Sequence, residues 1–351
     1  MKTVAGIMGA VVGGLALFLL SPAPSEAQAR KKVSMQLDWV VSGNHAGFFV
    51  AKEKGLYAAS GLEVAINRGF GSGDTAKVVA AGKSEFGSVT IPVVITSRGK
   101  GAPLVAVTAL YAKAPESFVS LEEKGIRHPK DVVGTRFAEA PGGSLMVTWP
   151  AFAKLVGVDP NKVTFVAVEP ATKPAVFFGG RVDWIFGFRS GGLDAVLIAR
   201  ARREGKRLRF VRWEDYGWKT HGNAITTHDR LLKDDPKVVG DFVDATLEGY
   251  RWTIEHPDQA LDILIKANPE IDRTAARLTL LFAIEGLLTK AAQEHGLGYM
   301  EPDRIAFQID LMSKLLNFPP PRAEDVYTNR FIKKRPITVT PALQAELNAL
   351  P

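Results

Sequence analysis

The sequence contains no cysteine, and this absence excludes several classes of protein. Disulfide bonds, thiol nucleophiles, zinc ribbons, iron–sulfur clusters and a lipid-modified N-terminal cysteine all require that residue. The six histidines are scattered, and none has a partner at a metal-binding spacing such as H-x-x-x-H. A G-x-S-x-G nucleophile motif is also missing, so the sequence indicates no catalytic centre, and we expect no metal and no cofactor.

Long apolar runs are missing beyond residue 29, so we expect no membrane-spanning helix there. The N-terminus differs, because Lys2 precedes an uncharged apolar run over residues 5–20 and the small-residue site Ala27-Gln28-Ala29. This order is typical of a secretory signal peptide, although a membrane anchor is the alternative. We therefore expect residues 1–29 to be removed and the rest of the chain to be exported.

Basic residues are only slightly more numerous than acidic residues. The 351 residues include 44 Lys and Arg against 37 Asp and Glu, a net charge of +7, and 46% are hydrophobic. A chain of this size can bury a full core and is expected to form two domains. The seven Lys and Arg between residues 200 and 212 come without a DNA-binding motif. We expect a solvated helix and strand there and no nucleic-acid partner.

Short apolar strands alternate with helical patterns through the first half of the chain. Residues 33–37, 62–66, 86–89 and 104–110 are strand-like, and helical patterns separate them. This alternation predicts an α/β architecture with mostly parallel sheets. Residues 236–316 are almost entirely helical in pattern.

Polar and aromatic residues follow the first predicted strand. Asp38 and Trp39 end it, and Asn44 and His45 follow in the next loop. Ligands of open α/β sheets bind at the carboxyl ends of strands. An indole for stacking, with a carboxylate, an amide and an imidazole, suits a flat polar heterocycle. The alternatives are that Trp39 is core packing and that Asn44 caps the following helix.

Two glycine-rich loops precede helices in the two halves of the chain, Gly71-Ser72-Gly73 and Gly142-Gly143-Ser144. Free N–H groups at a helix start can bind an anion or a carbonyl oxygen, although simple helix caps are the alternative. Neither loop has the spacing of a dinucleotide or phosphate loop, so a nucleotide is disfavoured. Together they predict a ligand held from both sides.

Several short motifs occur in the order found in one family of transport proteins. They are Leu37-Asp38-Trp39, Asn44-His45-x-Gly47, Ala51-Lys52-x-Lys54-Gly55-Leu56-Tyr57, Gly61-Leu62-x-Val64, Gly125-Ile126-x-x-Pro129-x-Asp131-Val132-x-Gly134, Val156-Gly157-Val158-Asp159-Pro160, Gly179-Gly180-Arg181-Val182-Asp183 and Tyr327-Thr328-Asn329-Arg330-Phe331. With them, residues 33–332 resemble the periplasmic substrate-binding proteins of ABC importers. The resemblance is to the class similar to thiamine-pyrimidine synthesis and uptake proteins, whose substrates are hydroxymethylpyrimidine-type compounds.

The resemblance implies a type II periplasmic binding protein, with two α/β lobes, a ligand cleft between them and two hinge crossings. Lobe I would comprise residues 30–112 and 222–351, and lobe II residues 113–221. The hinges would lie near residues 111–118 and 217–224. The helical residues at the C-terminus would then wrap lobe I.

The function that the resemblance implies is capture of a small heteroaromatic, pyrimidine-like or thiamine-precursor-like solute for an inner-membrane ABC permease, by a monomer that is not an enzyme. A eukaryotic branch of the family makes the pyrimidine with a cysteine-rich motif, which this chain lacks. An exported enzyme remains an alternative from another class, and a catalytic dyad in the cleft would distinguish it.

The resemblance also extends the candidate site beyond the first loop. We expect contacts from Ser72 and Thr90 in lobe I, from Ser144 and Glu169 in lobe II, and an apolar wall from Phe186 or Tyr111. A second hypothesis keeps the fold but makes the ligand an anion, such as a sulfonate, nitrate or aromatic carboxylate. The helix starts at Gly73 and Gly143 would then bind it, with Arg189 as the counter-charge.

Overall fold

The computed structural model describes Thr3 and residues 30–351, so the expected signal peptide lies almost wholly outside the described residues. The strands are β1 (Lys31–Gln36), β2 (Leu62–Asn67), β3 (Phe86–Thr90), β4 (Leu104–Ala109), β5 (Glu116–Leu121), β6 (Arg136–Glu139), β7 (Thr164–Ala167), β8 (Trp184–Phe188), β9 (Leu208–Arg212) and β10 (Asn223–His228). The helices are α1 (Ala46–Glu53), α2 (Leu56–Ala59), α3 (Ser72–Ala80), α4 (Ile91–Gly99), α5 (Ser144–Leu155), α6 (Lys173–Phe178), α7 (Leu193–Arg203), α8 (Asp229–Asp234), α9 (Pro236–Glu255), α10 (Pro257–Ala267), α11 (Arg273–Leu287), α12 (Lys290–His295), α13 (Pro302–Leu316), α14 (Ala323–Val326) and α15 (Pro341–Asn348).

The strands form two five-stranded sheets. The first has the order β2-β1-β3-β10-β4 and the second the order β7-β6-β8-β5-β9. In the first sheet β1 is parallel to β2 and β3, whereas β10 is antiparallel to β3 and β4. The second sheet repeats this arrangement, with β5 antiparallel to β8 and β9. Four of the five strands in each sheet therefore run in the same direction, as predicted, and one strand in each sheet runs against its neighbours.

The antiparallel strands are the ones that follow each passage between the sheets. The chain leaves the first sheet after β4, and residues 110–115 lead to β5 in the second sheet. It returns through residues 213–222 to β10. We call the unit around the first sheet lobe I and the unit around the second sheet lobe II. This is the predicted α/β fold of a type II periplasmic binding protein, with two crossings and loops of both lobes facing each other.

Helices from the C-terminal half pack on lobe I and fix the loop that follows β1. Gly249 of α9 lies so close to α1 that a Cβ there would be 2.4 Å from the carbonyl oxygen of Gly47. The next residue, Tyr250, packs edge-on against Phe48 and donates a hydrogen bond to the backbone oxygen of Asn44 (2.9 Å). None of the helices within residues 30–351 has the length and apolar character needed to cross a membrane.

A buried carboxyl group begins β5 beside the first crossing. Glu116 is 1% exposed, and neither of its carboxylate oxygens has a hydrogen-bond partner within the described residues. Burial raises the pKa of Glu116 from 4.5 to about 8. The folded protein therefore holds a proton at this position that the unfolded chain releases at neutral pH.

This protonation predicts a pH-dependent stability. Between pH 4.5 and 8 the folded state binds the additional proton, so the free energy of unfolding should fall as pH rises, by on the order of 3 kcal/mol from this group. Glu116→Gln should remove that contribution, and Glu123→Gln, at an exposed position, should keep it. Urea unfolding of the three proteins across this pH range measures the effect. Equal pH dependence in all three would contradict it.

Candidate functional site

Loops from the carboxyl ends of strands in both sheets enclose a small cavity of about 40 Å³, which we call the inner cavity. This is the edge at which an open α/β sheet places its ligands. The side chains and backbone that line it are Asp38, Trp39, Gly71, Ser72, Glu139, Ser144, Lys173, Phe186, Phe188, Gly191 and Leu193. Five of the ten residues predicted from the sequence are among them, namely Asp38, Trp39, Ser72, Ser144 and Phe186.

A buried ion pair forms one wall of the inner cavity. The Lys173 ammonium lies 2.6 Å from Glu139 Oε2, and both side chains are 1% exposed. The other Glu139 oxygen accepts a hydrogen bond from the backbone N–H of Ala140 (2.8 Å). Burial lowers the pKa of Lys173 and the Glu139 carboxylate opposes that effect. The pair therefore presents a fixed donor and a fixed acceptor in a buried site.

Two aromatic rings approach the Lys173 ammonium, Trp39 from lobe I and Phe186 from lobe II. The Lys173 nitrogen is 5.6 Å from the centre of the Trp39 ring and 5.5 Å from that of Phe186. Both distances are within the range of cation–π attraction. An ammonium has three donors, and Glu139 accepts the one hydrogen bond that the described residues give it. The arrangement can thus pair aromatic surface with a directed donor.

The carboxylate of Asp38 lies on the opposite lobe and is held by a buried network. Its Oδ1 accepts hydrogen bonds from Ser88 Oγ (2.8 Å) and from His45 Nε2 (3.4 Å). His45 Nδ1 accepts from the backbone N–H of Ser42, which leaves Nε2 to donate. Burial raises the pKa of Asp38, but the hydrogen bonds from His45, Ser88 and Asn223 outweigh it and hold the pKa below its usual value. Asp38 is therefore an ionised acceptor.

Asn44, His45 and Tyr111 support Asp38 from behind and do not line the inner cavity. The Asn44 amide donates to the Tyr111 hydroxyl (3.0 Å), and Asn44 and His45 are each 1% exposed. Because these groups are already paired within the protein, they position the loop rather than face the cavity. The sequence pattern grouped Asn44 and His45 with Asp38 but could not show which of them face the cavity.

Two further predicted residues occupy different surroundings. Thr90 is fully buried, and its backbone N–H donates to Ser72 Oγ (3.3 Å), so it lies behind the cavity wall. Glu169 is exposed at the start of a short 3-10 helix and is not a lining residue. The carboxylate that lobe II contributes to the cavity belongs to Glu139 instead, because Glu139 ends β6, a strand inside the sheet, and Glu169 follows β7 at its edge.

The two glycine-rich loops touch each other across the cleft. The backbone N–H groups of Gly73 and Asp74, at the start of α3, donate to the carbonyl oxygen of Gly142 in lobe II (3.0 and 3.3 Å). A Cβ on Gly142 would lie 2.8 Å from Asp74 Cβ. The helix start predicted to bind an anion therefore binds the opposite loop, and the lobes are in a closed arrangement.

Arg189, the counter-charge of the anion hypothesis, lies outside the inner cavity. Its Nε donates to Glu285 Oε2 (2.9 Å), and its guanidinium stacks over Phe282 at 4.1 Å. Both partners belong to α11 of lobe I, so Arg189 joins the lobes beside the crossings. In this arrangement its charge is already neutralised by a protein carboxylate.

Glu139 and Lys173 were not predicted from the sequence. Glu139 is the last residue of β6, and the carboxyl end of a strand was the signal that identified Asp38, so the same argument could have found it. Lys173 begins the short helix α6 and carries no such signal. Among the described residues, no group of three His, Asp or Glu side chains is placed to hold a metal ion.

The chain is similar to several curated proteins. It is 27% identical over 250 residues to a formylaminopyrimidine-binding protein of Halalkalibacterium halodurans, which covers 70% of this chain and 73% of that protein. It is 23% identical over 243 residues to a 4-amino-5-hydroxymethyl-2-methylpyrimidine phosphate synthase of Legionella pneumophila, which covers 69% of this chain and 75% of that protein.

A solved structure has the same fold. The periplasmic aliphatic sulphonate binding protein SsuA of Escherichia coli superposes with a TM-score of 0.65 at 13% identity, over 88% of this chain and 96% of that protein. Residues 42–260 match the family described as NMT1/THI5 like, which is more than half of the chain. The match includes most of the inner-cavity residues, from Gly71 to Leu193. The chain belongs to the NMT1/THI5-like family.

Proposed function

We propose that the protein is the solute-binding component of an ABC importer and captures a small heteroaromatic, pyrimidine-like molecule. The ligand binds between the lobes, and closure about the crossings at residues 110–115 and 213–222 encloses it. Lobe I would comprise residues 30–112 and 222–351, and lobe II residues 113–221.

The observation that carries the proposal is the composition of the inner cavity. Aromatic rings from both lobes, Trp39 and Phe186, approach one buried ammonium, and the carboxylates Glu139 and Asp38 lie on opposite lobes. A flat ring with both hydrogen-bond donors and acceptors on its edge matches this set, because it can stack and also pair with each polar group. The name of the formylaminopyrimidine-binding relative supports the same ligand class.

The cavity favours binding over catalysis. Relatives named as phosphate synthases exist, but at this cavity the Lys173 ammonium is paired with Glu139 and the Asp38 carboxylate with Ser88. The sequence has no cysteine, and the one histidine next to the cavity, His45, is engaged by Asp38 and Ser42. These groups hold a ligand in place without an activated nucleophile.

The cellular setting follows from the proposal. A signal peptide over residues 1–29 would export the chain to the periplasm, where it would deliver the solute to an inner-membrane permease as a monomer. Intact-mass measurement of periplasmic protein should show a chain that begins at Arg30.

A ligand screen by unfolding temperature tests the proposed class. A ligand at one hundred times its Kd adds about 2.7 kcal/mol of apparent stability, so a compound that binds raises the midpoint temperature of unfolding. We expect stabilisation by hydroxymethylpyrimidine and formylaminopyrimidine compounds and none by alkanesulfonates, nitrate or benzoate. Stabilisation by the anions alone would contradict the proposal and support the anion hypothesis.

Trp39 gives a residue-level prediction for the same cavity. Trp39→Ala should weaken binding by at least about twofold, because an aromatic pair contributes ~0.5–1.5 kcal/mol beyond the area it buries. Trp39→Phe should recover most of the affinity, and both variants should unfold cooperatively. Titration calorimetry measures the affinities. Unchanged affinity in Trp39→Ala, accompanied by a large loss of stability, would show that the indole is core packing.

A further inference from the structure

A second and far larger cavity adjoins the inner cavity. It has a volume of about 380 Å³, against about 40 Å³ for the inner one, and we call it the outer chamber. Trp39, Gly191 and Leu193 line both spaces, so the outer chamber lies directly against the candidate site at these residues.

The outer chamber is built by both lobes. Val41 and Ile271 belong to lobe I, whereas Pro174 and Val196 belong to lobe II. A packing defect would be expected inside one core, but this space forms where two lobes close on each other. Its volume is within the range of ~300–1,000 Å³ that is typical of small-molecule sites.

The walls of the outer chamber offer apolar surface. Two of its polar side chains are already used within the protein, since Thr279 Oγ1 donates to the carbonyl oxygen of Ala275 and Asp272 Oδ1 accepts from the N–H of Ala275, both at 2.8 Å. Three exposed charged residues also line it, namely Arg68, Glu270 and Asp272. The space therefore suits an uncharged apolar or aromatic group.

The inner cavity alone is too small for a ring. A protein cavity that holds benzene has a volume of about 150 Å³. In the closed arrangement only the polar edge of a heterocycle could therefore reach Glu139 and Lys173. The remainder of such a ligand would lie outside the inner cavity, and the outer chamber borders it at Trp39, Gly191 and Leu193.

We infer that the ligand is an extended molecule, a pyrimidine-type ring that carries an apolar or aromatic arm, and that the outer chamber holds this arm. The inference rests on the proposed function, because it takes the polar edge of a heteroaromatic ring to bind at the inner cavity. It adds a second subsite, in which Val196 and its neighbours select for the arm.

Matched ligands test the second subsite. The parent probe is 4-amino-5-hydroxymethyl-2-methylpyrimidine, and its partners carry a benzyl group either on the hydroxymethyl oxygen or at the 2-position, so that the arm leaves the ring in two directions. Burying a phenyl group contributes at least about 1.4 kcal/mol, so one benzyl derivative should bind at least about tenfold more tightly than the parent. Calorimetry of the purified protein measures all three affinities.

A variant that fills the chamber separates the two subsites. Val196 is 37% exposed, so Val196→Trp should fold, fill part of the outer chamber and abolish the preference for the benzyl derivative while it keeps affinity for the parent. The control is Val133→Trp, at a position 46% exposed that lines neither cavity, and it should keep the preference.

The outcomes distinguish the inference from the proposal on which it rests. Binding of the parent with no gain from either benzyl derivative would overturn the second subsite alone, as would a preference that survives in Val196→Trp. Failure of all three probes to bind the wild-type protein would overturn the proposed ligand class, and the second subsite with it.

Discussion

Lys173→Met is expected to abolish ligand binding and to lower the free energy of unfolding by about 3–5 kcal/mol. The large effect arises because Glu139, whose side chain is 1% exposed, would lose the ammonium 2.6 Å away that compensates its charge. The same substitution at an exposed ion pair, Lys314→Met beside Asp310, should change stability little.

A second substitution separates the two consequences of losing Lys173. In the double variant Lys173→Met with Glu139→Gln, no buried charge remains unpaired, so most of the lost stability should return while binding stays absent. Urea unfolding and titration calorimetry report the two quantities independently. If the double variant bound ligand like the wild-type protein, the ion pair would be a structural feature and not part of the binding site.

Gly142→Ala is expected to weaken ligand binding by about fivefold or more and to leave the stability of the separate lobes unchanged. The added Cβ would lie 2.8 Å from Asp74 Cβ in the opposite lobe, and an overlap of this kind typically costs about 1–3 kcal/mol. The clash exists only when the lobes are closed. The variant should therefore resist closure and remain normally folded when open.

Removal of the clashing atom provides the control for Gly142→Ala. Asp74→Gly deletes the Cβ that the new methyl group meets, so the double variant should recover most of the affinity. Small-angle scattering provides a second readout, because the radius of gyration of the wild-type protein should decrease on ligand binding and that of Gly142→Ala should not. A wild-type affinity in Gly142→Ala would show that the contact between the two glycine loops plays no part in closure.

The sequence predicted the parts of the site that depend on local order along the chain. Asp38 and Trp39 end the first strand, and Ser72 and Ser144 begin helices after glycine loops, so strand ends and helix starts were sufficient to identify them. These are positions at which the backbone geometry of an α/β unit fixes the direction of the next residues.

The remaining features depend on contacts between distant segments. Glu139 and Lys173 are 34 residues apart, and their pairing is set by the packing of α6 against β6. Similarly, the sequence predicts Asn44 as a ligand contact, because the pattern cannot show its contacts within lobe I. Its side chain donates to the Tyr111 hydroxyl, and its backbone oxygen accepts from the Tyr250 hydroxyl. Arg189 shows the same effect, since only the fold brings Glu285 to it.

The direction of the strands also could not be predicted from hydrophobic periodicity. An alternation of strands and helices predicts parallel neighbours, but β5 and β10 each follow a passage between lobes and enter their sheets antiparallel. Hydrophobic periodicity reports which residues are buried and carries no information on the direction in which a strand enters its sheet.

The most direct test of the account is calorimetric titration of the purified protein with 4-amino-5-hydroxymethyl-2-methylpyrimidine and its benzyl derivatives in parallel with an alkanesulfonate. We predict saturable binding of one pyrimidine molecule per chain, and no heat of binding from the sulfonate. Saturable binding of the sulfonate, with no response to any of the pyrimidines, would contradict capture of a heteroaromatic solute in the cavity formed by Trp39, Glu139 and Lys173.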